Sequence, residues 1–274
     1  MIENVRIKEL RNLIITLLIG AIIEVLLFFY ASGSEYYFLV AMFVLVVSIG
    51  IASSFNTKYK NFYKQNVLKP VFEKYNLLYN PNSGISEELA NKSMLLPEYD
   101  EYISSDLIKG DDFVASNIKL YRYRRSTDRE DKELKEVVYS AMMIITKSNR
   151  LIKNPFIIKN NSFYLCKVLP FCIDKERQRL DDSEFEKFFD VFGGDMVEVR
   201  EILTHDVMHE LVNLKKQLNI VEISLVGNER FASLNRFELI KIPSIFQKYS
   251  PTQITKIEKN IKSFIQLVKF LQRL

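Results

Sequence analysis

Two histidines, His205 and His209, stand four residues apart in a stretch of helical pattern, which puts both imidazoles on one side of a helix. That spacing suits a divalent metal, with Glu201 one turn earlier as a third ligand, and the chemistry it would support is metal-dependent hydrolysis. The run HDVMH lacks the glutamate beside the first histidine that HExxH supplies as a general base. Two solvated or locally hydrogen-bonded histidines are therefore the competing reading. A second cluster, Lys119 to Arg125, interleaves Arg122, Arg124 and Arg125 with Tyr121 and Tyr123, a pattern that grips phosphate groups of lipid or nucleic acid. Acidic residues follow at once (Asp128, Glu130, Asp131, Glu133, Glu136) and can neutralise it, so a solvated hairpin stands against anionic-lipid contact. The whole chain carries +4 and its first 55 residues −1 (three Lys and Arg against four Asp and Glu), so the remainder carries +4 minus −1, or +5, a mild excess too small to argue for nucleic acid. A third residue, Glu24, sits inside an apolar run, where a carboxylate costs roughly 2.5–3.5 kcal/mol. It needs a partner such as Ser48 or a second copy of the chain, or a proton, or a place on an ion path.

The apolar runs themselves are the clearest elements. Residues 13–30, LIITLLIGAIIEVLLFFY, and 36–55, YYFLVAMFVLVVSIGIASSF, are each long enough to cross a hydrocarbon core of roughly 30 Å. The connector 31–35 is so short that the spans must be antiparallel neighbours. Arg6, Lys8 and Arg11 precede the first, Lys58, Lys60, Lys64 and Lys69 follow the second, and the connector has no Lys or Arg. The positive-inside rule then puts both ends in the cytosol. A cleaved signal sequence is the alternative for the first run, and it leaves the same side assigned to everything after Phe55.

Past the spans, residues 59–79 keep apolar positions near helical spacing, with Pro70 kinking or restarting the helix and Asn80 to Gly84 ending it. Ser86 ahead of Glu87 and Glu88 reads as an N-cap, followed by a loop through Pro97 and weak structure up to Ser105. Asp111–Tyr123 and Glu136–Lys147 read as a hairpin with a long solvated loop over 124–135. Shorter strands are expected at Phe156–Ile158, Ser162–Val168 and Phe188–Phe192. One or two amphipathic helices follow over Val197–Leu214, then a strand pair Ile220–Val226 and Arg230–Ser233 turned at Gly227-Asn228-Glu229. Ser250-Pro251-Thr252-Gln253 composes a capping box that opens a final helix with an apolar stripe from Ile254 to Leu271. That stripe suits packing on the domain or lying on a membrane. Cys166 and Cys172 have no partners at metal-ligand spacing and read as two unpaired buried thiols.

Taken together, the spans, the post-membrane block YNLLYNPNSGIS, the block SSDLIKGDDF and the long block SEFEKFFDVFGGDMVEVREILTHDVMHELVNL resemble a bacterial family catalogued only as a domain of unknown function. The resemblance implies two N-terminal spans in the inner membrane and a cytosolic α+β domain, with no activity, cofactor or catalytic residue to carry over. It also implies a membrane process shared with LemA-type proteins, whose genes lie beside some members.

The sequence thus predicts an α+β protein: a transmembrane helical hairpin over residues 1–55 and a cytosolic domain over 56–274 with a mainly antiparallel sheet and packed helices. There is no GxGxxG, GxxxxGK[ST] or GxSxG motif, so no cofactor is expected and no catalytic residue is named. The expected partners are the bilayer, through 13–30 and 36–55, and a protein partner or second copy, with no nucleic acid. The leading function is a multi-pass, non-enzymatic interaction or scaffold module, more fitting than an enzyme. A metal-dependent hydrolase at His205 and His209, or an anionic-lipid sensor at Arg122, Arg124 and Arg125 or on the last helix, is the alternative.

Overall fold

Apolar sequence at the start of the chain makes its two longest apolar helices, α1 (Ile2–Ala31) and α2 (Tyr37–Tyr63). They come from a computed structural model, which describes residues 1–31, 33, 36–125, 133–160, 177–218, 222–235, 239–240 and 242–274. The chain divides into two compact units, 1–71 with 240–257 and 72–239 with 258–274.

In the first unit α1 and α2 run back along each other. They approach closely where Gly20 faces Ser48: a Cβ on Gly20 would stand 2.4 Å from the Ser48 Oγ. After Tyr63 the helix widens into a π-helical turn, Lys64–Leu68, in which the Lys69 N–H reaches back to the Lys64 carbonyl. Pro70, which cannot donate a backbone hydrogen bond, follows one residue later in α3 (Lys69–Glu73). The proline is thus taken up by a local change of helical pitch and the helix continues to Glu73.

The second unit is built on a seven-stranded antiparallel sheet. Its elements are β1 (Leu78–Asn80), α4 (Glu87–Asn91), β2 (Glu101–Lys109), β3 (Phe113–Arg125), β4 (Glu133–Asn160) and β5 (Arg177–Gln178). Then come α5 (Phe185–Phe188), β6 (Phe189–Gly193), α6 (Met196–Ile202), α7 (His205–Leu218), β7 (Glu222–Asn235) and α8 (Pro251–Arg273), whose first turns lie in residues 251–257 of the other unit. The strand order is β1-β2-β3-β4-β6-β5, with β7 also on β4.

Several elements differ from the sequence reading. The segment read as loop before Ser105 holds the first half of β2, and the hairpin loop is shorter because β3 runs to Arg125 and β4 starts at Glu133. Phe156–Ile158 is the far end of β4, a single 28-residue strand. The expected turn at Gly227-Asn228-Glu229 is instead an uninterrupted part of β7, and the extra residues at this point, 148–151 and 153–155, lie on β4. Gly227 takes φ +57, and both halves of β7 pair with β4 across register shifts between Lys147 and Phe156. At this bend β4 exchanges β3 for β6 as its second neighbour. Bulges strand carbonyls, and Arg230, fully buried, collects them. Its guanidinium donates to the Gly227 and Glu229 carbonyls at 3.0 Å, to that of Arg150 at 2.5 Å and to that of Leu274 at 3.2 Å. Burial, and then the charge of Arg150, push its pKa down to about 10. Ser162–Val168, Cys166 and Cys172 lie outside the described residues.

One sheet face packs Ile118, Leu120, Met143, Ile145 and Phe231 under α4 and the Leu95–Leu96 turn. Ser86 caps α4 as its position predicts, accepting from the Leu89 N–H. The final helix belongs to the protein interior: Ile261, Phe264, Leu267 and Leu271 are completely buried, and Phe264 meets Phe113 edge-on at 5.5 Å. A surface-lying lipid sensor is therefore corrected for this helix. Pro251 is its first residue, yet the capping box does not form. The Ser250 hydroxyl pairs with Thr252 Oγ1 at 2.8 Å, and Gln253 Oε1 is buried with no partner among the described residues.

Candidate functional site

The His205 and His209 pair does sit on one helix, α7, but its side chains turn to other tasks. His205 Nδ1 meets Asp182 Oδ2 at 3.0 Å, and His209 Nδ1 faces Asn213 Nδ2 at 3.3 Å. Glu201, the third candidate ligand, pairs with Arg150 at 3.1 Å. Among the described residues no group of three or more His, Cys, Asp or Glu is arranged to hold a metal ion. Asp182 is the organising residue, since it also accepts from the Phe185 and Glu184 N–H groups at the start of α5. The Phe185 N–H foremost, with His205 and the Glu184 N–H, holds its carboxyl below the usual range.

The basic cluster lies on β3, where side chains alternate between faces. Arg122 pairs with Glu98 at 3.3 Å and also donates to its backbone carbonyl at 2.9 Å, while Arg124 meets Glu136 at 3.2 Å diagonally across the strand pair. Arg125 pairs through its backbone with Glu133, and its side chain lies outside the described ones. Lys135 sits 4.1 Å over the Tyr121 ring and bridges to Glu101 at 2.8 Å, and Tyr123 also bonds Glu101. The cations are thus largely matched by carboxylates. Pairing with β2 ends at Tyr121 and pairing with β7 ends at Ala141. Beyond those points, among the described residues, β3 and β4 pair only with each other and form a two-stranded arm. Leu134 on it is 59% exposed, and Val137 at its base, opposite Tyr121, is 53% exposed.

A buried polar network was invisible to sequence reasoning. The Tyr79 hydroxyl donates to Asp106 Oδ1 at 2.6 Å, and Asn117 Nδ2 reaches Asp106 Oδ2 at 3.3 Å. Asp106 stands at φ +59 in the bulge of β2, and its N–H bonds the Pro81 carbonyl at 3.2 Å. Burial, and then the Asp106 carboxylate, raise the Tyr79 pKa strongly. Nearby, Ser104 and Ser116 share a 2.8 Å contact, and both hydroxyls accept from the Ile85 N–H. The two blocks YNLLYNPNSGIS and SSDLIKGDDF therefore bind each other. The only hint was the run Ser104-Ser105-Asp106, which interrupts strand alternation.

In the first unit the lower ends of the helices are tied to residues 240–257. Arg6 is buried, pairs with Glu3 at 2.7 Å and donates to the Ile245 carbonyl at 2.9 Å, while the Tyr249 N–H bonds Glu3 at 3.2 Å. Glu24 Oε1 is buried and has no hydrogen-bond partner among the described residues. Both helices are long and apolar enough to cross a membrane, with mean hydropathy 2.6 and 2.5 over their most apolar windows.

No curated protein matches the chain. Among solved structures, the crystal structure of the mycobacterial trehalose monomycolate transport factor A, TtfA, aligns with 75% of this chain and 94% of that one, at 7% identity and a TM-score of 0.36. Likeness at that level transfers neither a shared fold nor a function. From within β4 to the end of α8, residues 138–273, the chain matches the family described as "Protein of unknown function (DUF3137)", a domain-of-unknown-function family as the sequence resemblance implied.

Proposed function

We propose that this protein is a membrane-anchored interaction module, with α1 and α2 crossing the bacterial inner membrane, both ends of the pair cytosolic, and the sheet unit binding a protein partner. Only 11% and 6% of the two most apolar helix windows is buried within the protein. A core helix of a water-soluble protein covers its apolar residues, whereas here Ile14 to Phe29 and Phe38 to Ile51 face outward, as lipid contact requires. The observation that carries the interaction reading is the β3–β4 arm. A two-stranded ribbon is marginal alone, and this one displays Leu134, with Val137 exposed at its base, rather than hiding them. The arrangement favours binding over hydrolysis because His205, His209 and Glu201 are each engaged by a separate neighbour.

Two measurements test the reading. Alkaline carbonate washing of membranes leaves the chain in the pellet if the helices span, and release into the supernatant overturns the anchor. A photocrosslinking residue at Leu134, activated in intact membranes, gives a discrete adduct with one protein or with a second copy. A chain that pellets but yields no protein adduct at Leu134 or Val137 overturns the interaction role.

A further inference from the structure

We propose that Lys8, Arg11, Lys58 and Lys60 form a collar that binds the phosphate-bearing headgroups of anionic phospholipids. The proposal rests on the membrane-spanning reading. It starts from the contact of Gly20 with Ser48, which fixes the register of the two antiparallel helices. Both residues lie within about one turn of the middle of their apolar runs. Arg11 is nine residues below Gly20 and Lys58 ten residues beyond Ser48, or about 14 and 15 Å along the helix axes. Lys8 and Lys60 are twelve residues away on their respective helices, about 18 Å. Half of a hydrocarbon core of roughly 30 Å is about 15 Å, so all four cations fall at the headgroup layer on one side of the bilayer.

Their common level on the two helices sets them apart from the other exposed lysines, and their lack of a carboxylate partner sets them apart from Arg6, Arg122 and Arg124. All four are exposed, and among the described residues none of them forms an ion pair; Lys58 Nζ lies 5.3 Å over the Phe55 ring. Arg6, the neighbouring cation on α1, is buried and committed to Glu3. The other carboxylate in that stretch, Glu9, has its Oε2 buried away from solvent. By contrast Arg122 and Arg124 already hold Glu98 and Glu136. Four unmatched positive charges on two packed helices, level with lipid phosphates, complement a surface that is itself negative. A dissolved anion is drawn to these charges from bulk only over a Debye length of about 8–10 Å, whereas a headgroup is held at their depth by its own acyl chains.

The test reconstitutes the full chain in nanodiscs of mixed neutral and anionic phospholipid, extracts it in mild detergent, and counts co-purifying lipid by native mass spectrometry. Enrichment of the anionic lipid above the input ratio is expected, with a fall of about five-fold for each cation removed. The Lys58→Gln/Lys60→Gln and Lys8→Gln/Arg11→Gln chains lose the enrichment, and Arg122→Gln/Arg124→Gln keeps it. Insertion without enrichment, or enrichment unchanged in the four-site variant, overturns the collar while leaving the spans standing. Displacement of the lipid by dilute inorganic phosphate identifies a free-anion site and overturns the lipid assignment. Failure to insert removes the anchor reading and the collar together.

Discussion

The bond between Tyr79 and Asp106 offers a quantitative check on how the sheet unit is held. Both side chains are buried, and the phenol donates to a carboxylate at 2.6 Å. A hydrogen bond to a charged group is worth about 1.5–3 kcal/mol, so Tyr79→Phe is expected to cost that much. Asp106→Ala removes the acceptor of both Tyr79 and Asn117 and also forces alanine to φ +59, which adds about 1–2 kcal/mol of backbone strain. Asp106→Gly abolishes the same bonds without the strain, so the difference between the two variants isolates the backbone contribution. For a unit of this size each kcal/mol shifts the midpoint by about 2–4 °C, which puts Tyr79→Phe roughly 3–12 °C below the wild type. The chain has no tryptophan, so far-UV circular dichroism of the full chain in mild detergent is the suitable melt. The double variant Tyr79→Phe/Asp106→Gly completes a cycle with an expected coupling of about 1–3 kcal/mol. If the two single losses simply add, the bond contributes nothing and the argument that these blocks lock to each other is wrong.

Gly84→Ala should destabilise the same corner by about 1–3 kcal/mol through overpacking. Its new Cβ would stand 2.1 Å from Ser104 Oγ and 2.6 Å from the Ser104 carbonyl carbon, so rotating the serine cannot relieve the clash. Gly50→Ala, inside α2 where nothing lies within 4 Å, is the contrasting control and should melt no lower than the wild type, since alanine favours the helix. At Asp182 the carboxyl is held below its ordinary value in the folded protein, chiefly by the Phe185 N–H. Such a group contributes stability above the ordinary carboxylate pKa of about 4, and that contribution is lost as pH falls through the lowered folded value. Asp182→Ala is therefore expected to cost about 1 kcal/mol at neutral pH, with the gap from wild type closing in acid. Denaturant titrations at several pH values measure this, and a gap constant down to strongly acid pH would remove Asp182 from the account.

Local signals carried well into the structure wherever a single segment decides its own conformation. The apolar runs, the Ser86 cap, the strand near Phe189 and the two helices between Met196 and Leu218 all follow from composition and spacing. The failures occur where a distant strand decides. Gly227-Asn228-Glu229 has ideal turn chemistry, yet β4 pairs with both sides of it and keeps the same residues inside β7, the irregularity falling on β4. In β2 the half-buried Ser104 answers to Ser116 of β3 and the buried Asp106 answers to Tyr79, so hydrophobic alternation fails and the strand looks like a loop.

Charged residues show the same divide, and it bears on function. Arg122 and Arg124 attract notice because they are clustered with aromatics in the sequence. Their partners come from elsewhere: Glu98 is twenty-four residues earlier, and Glu136 is reached only because β4 folds back in a particular register. Lys8, Arg11, Lys58 and Lys60 look scattered, since two precede the first apolar run and two follow the second. The contact of Gly20 with Ser48 brings them to one level. A cluster in sequence can therefore be electrically spent while a dispersed set forms the free surface, because exposed pairs at hydrogen-bonding distance already satisfy the groups a ligand would have to claim. Substituting Arg122 and Arg124 should accordingly leave lipid binding intact, and substituting the dispersed four should remove it.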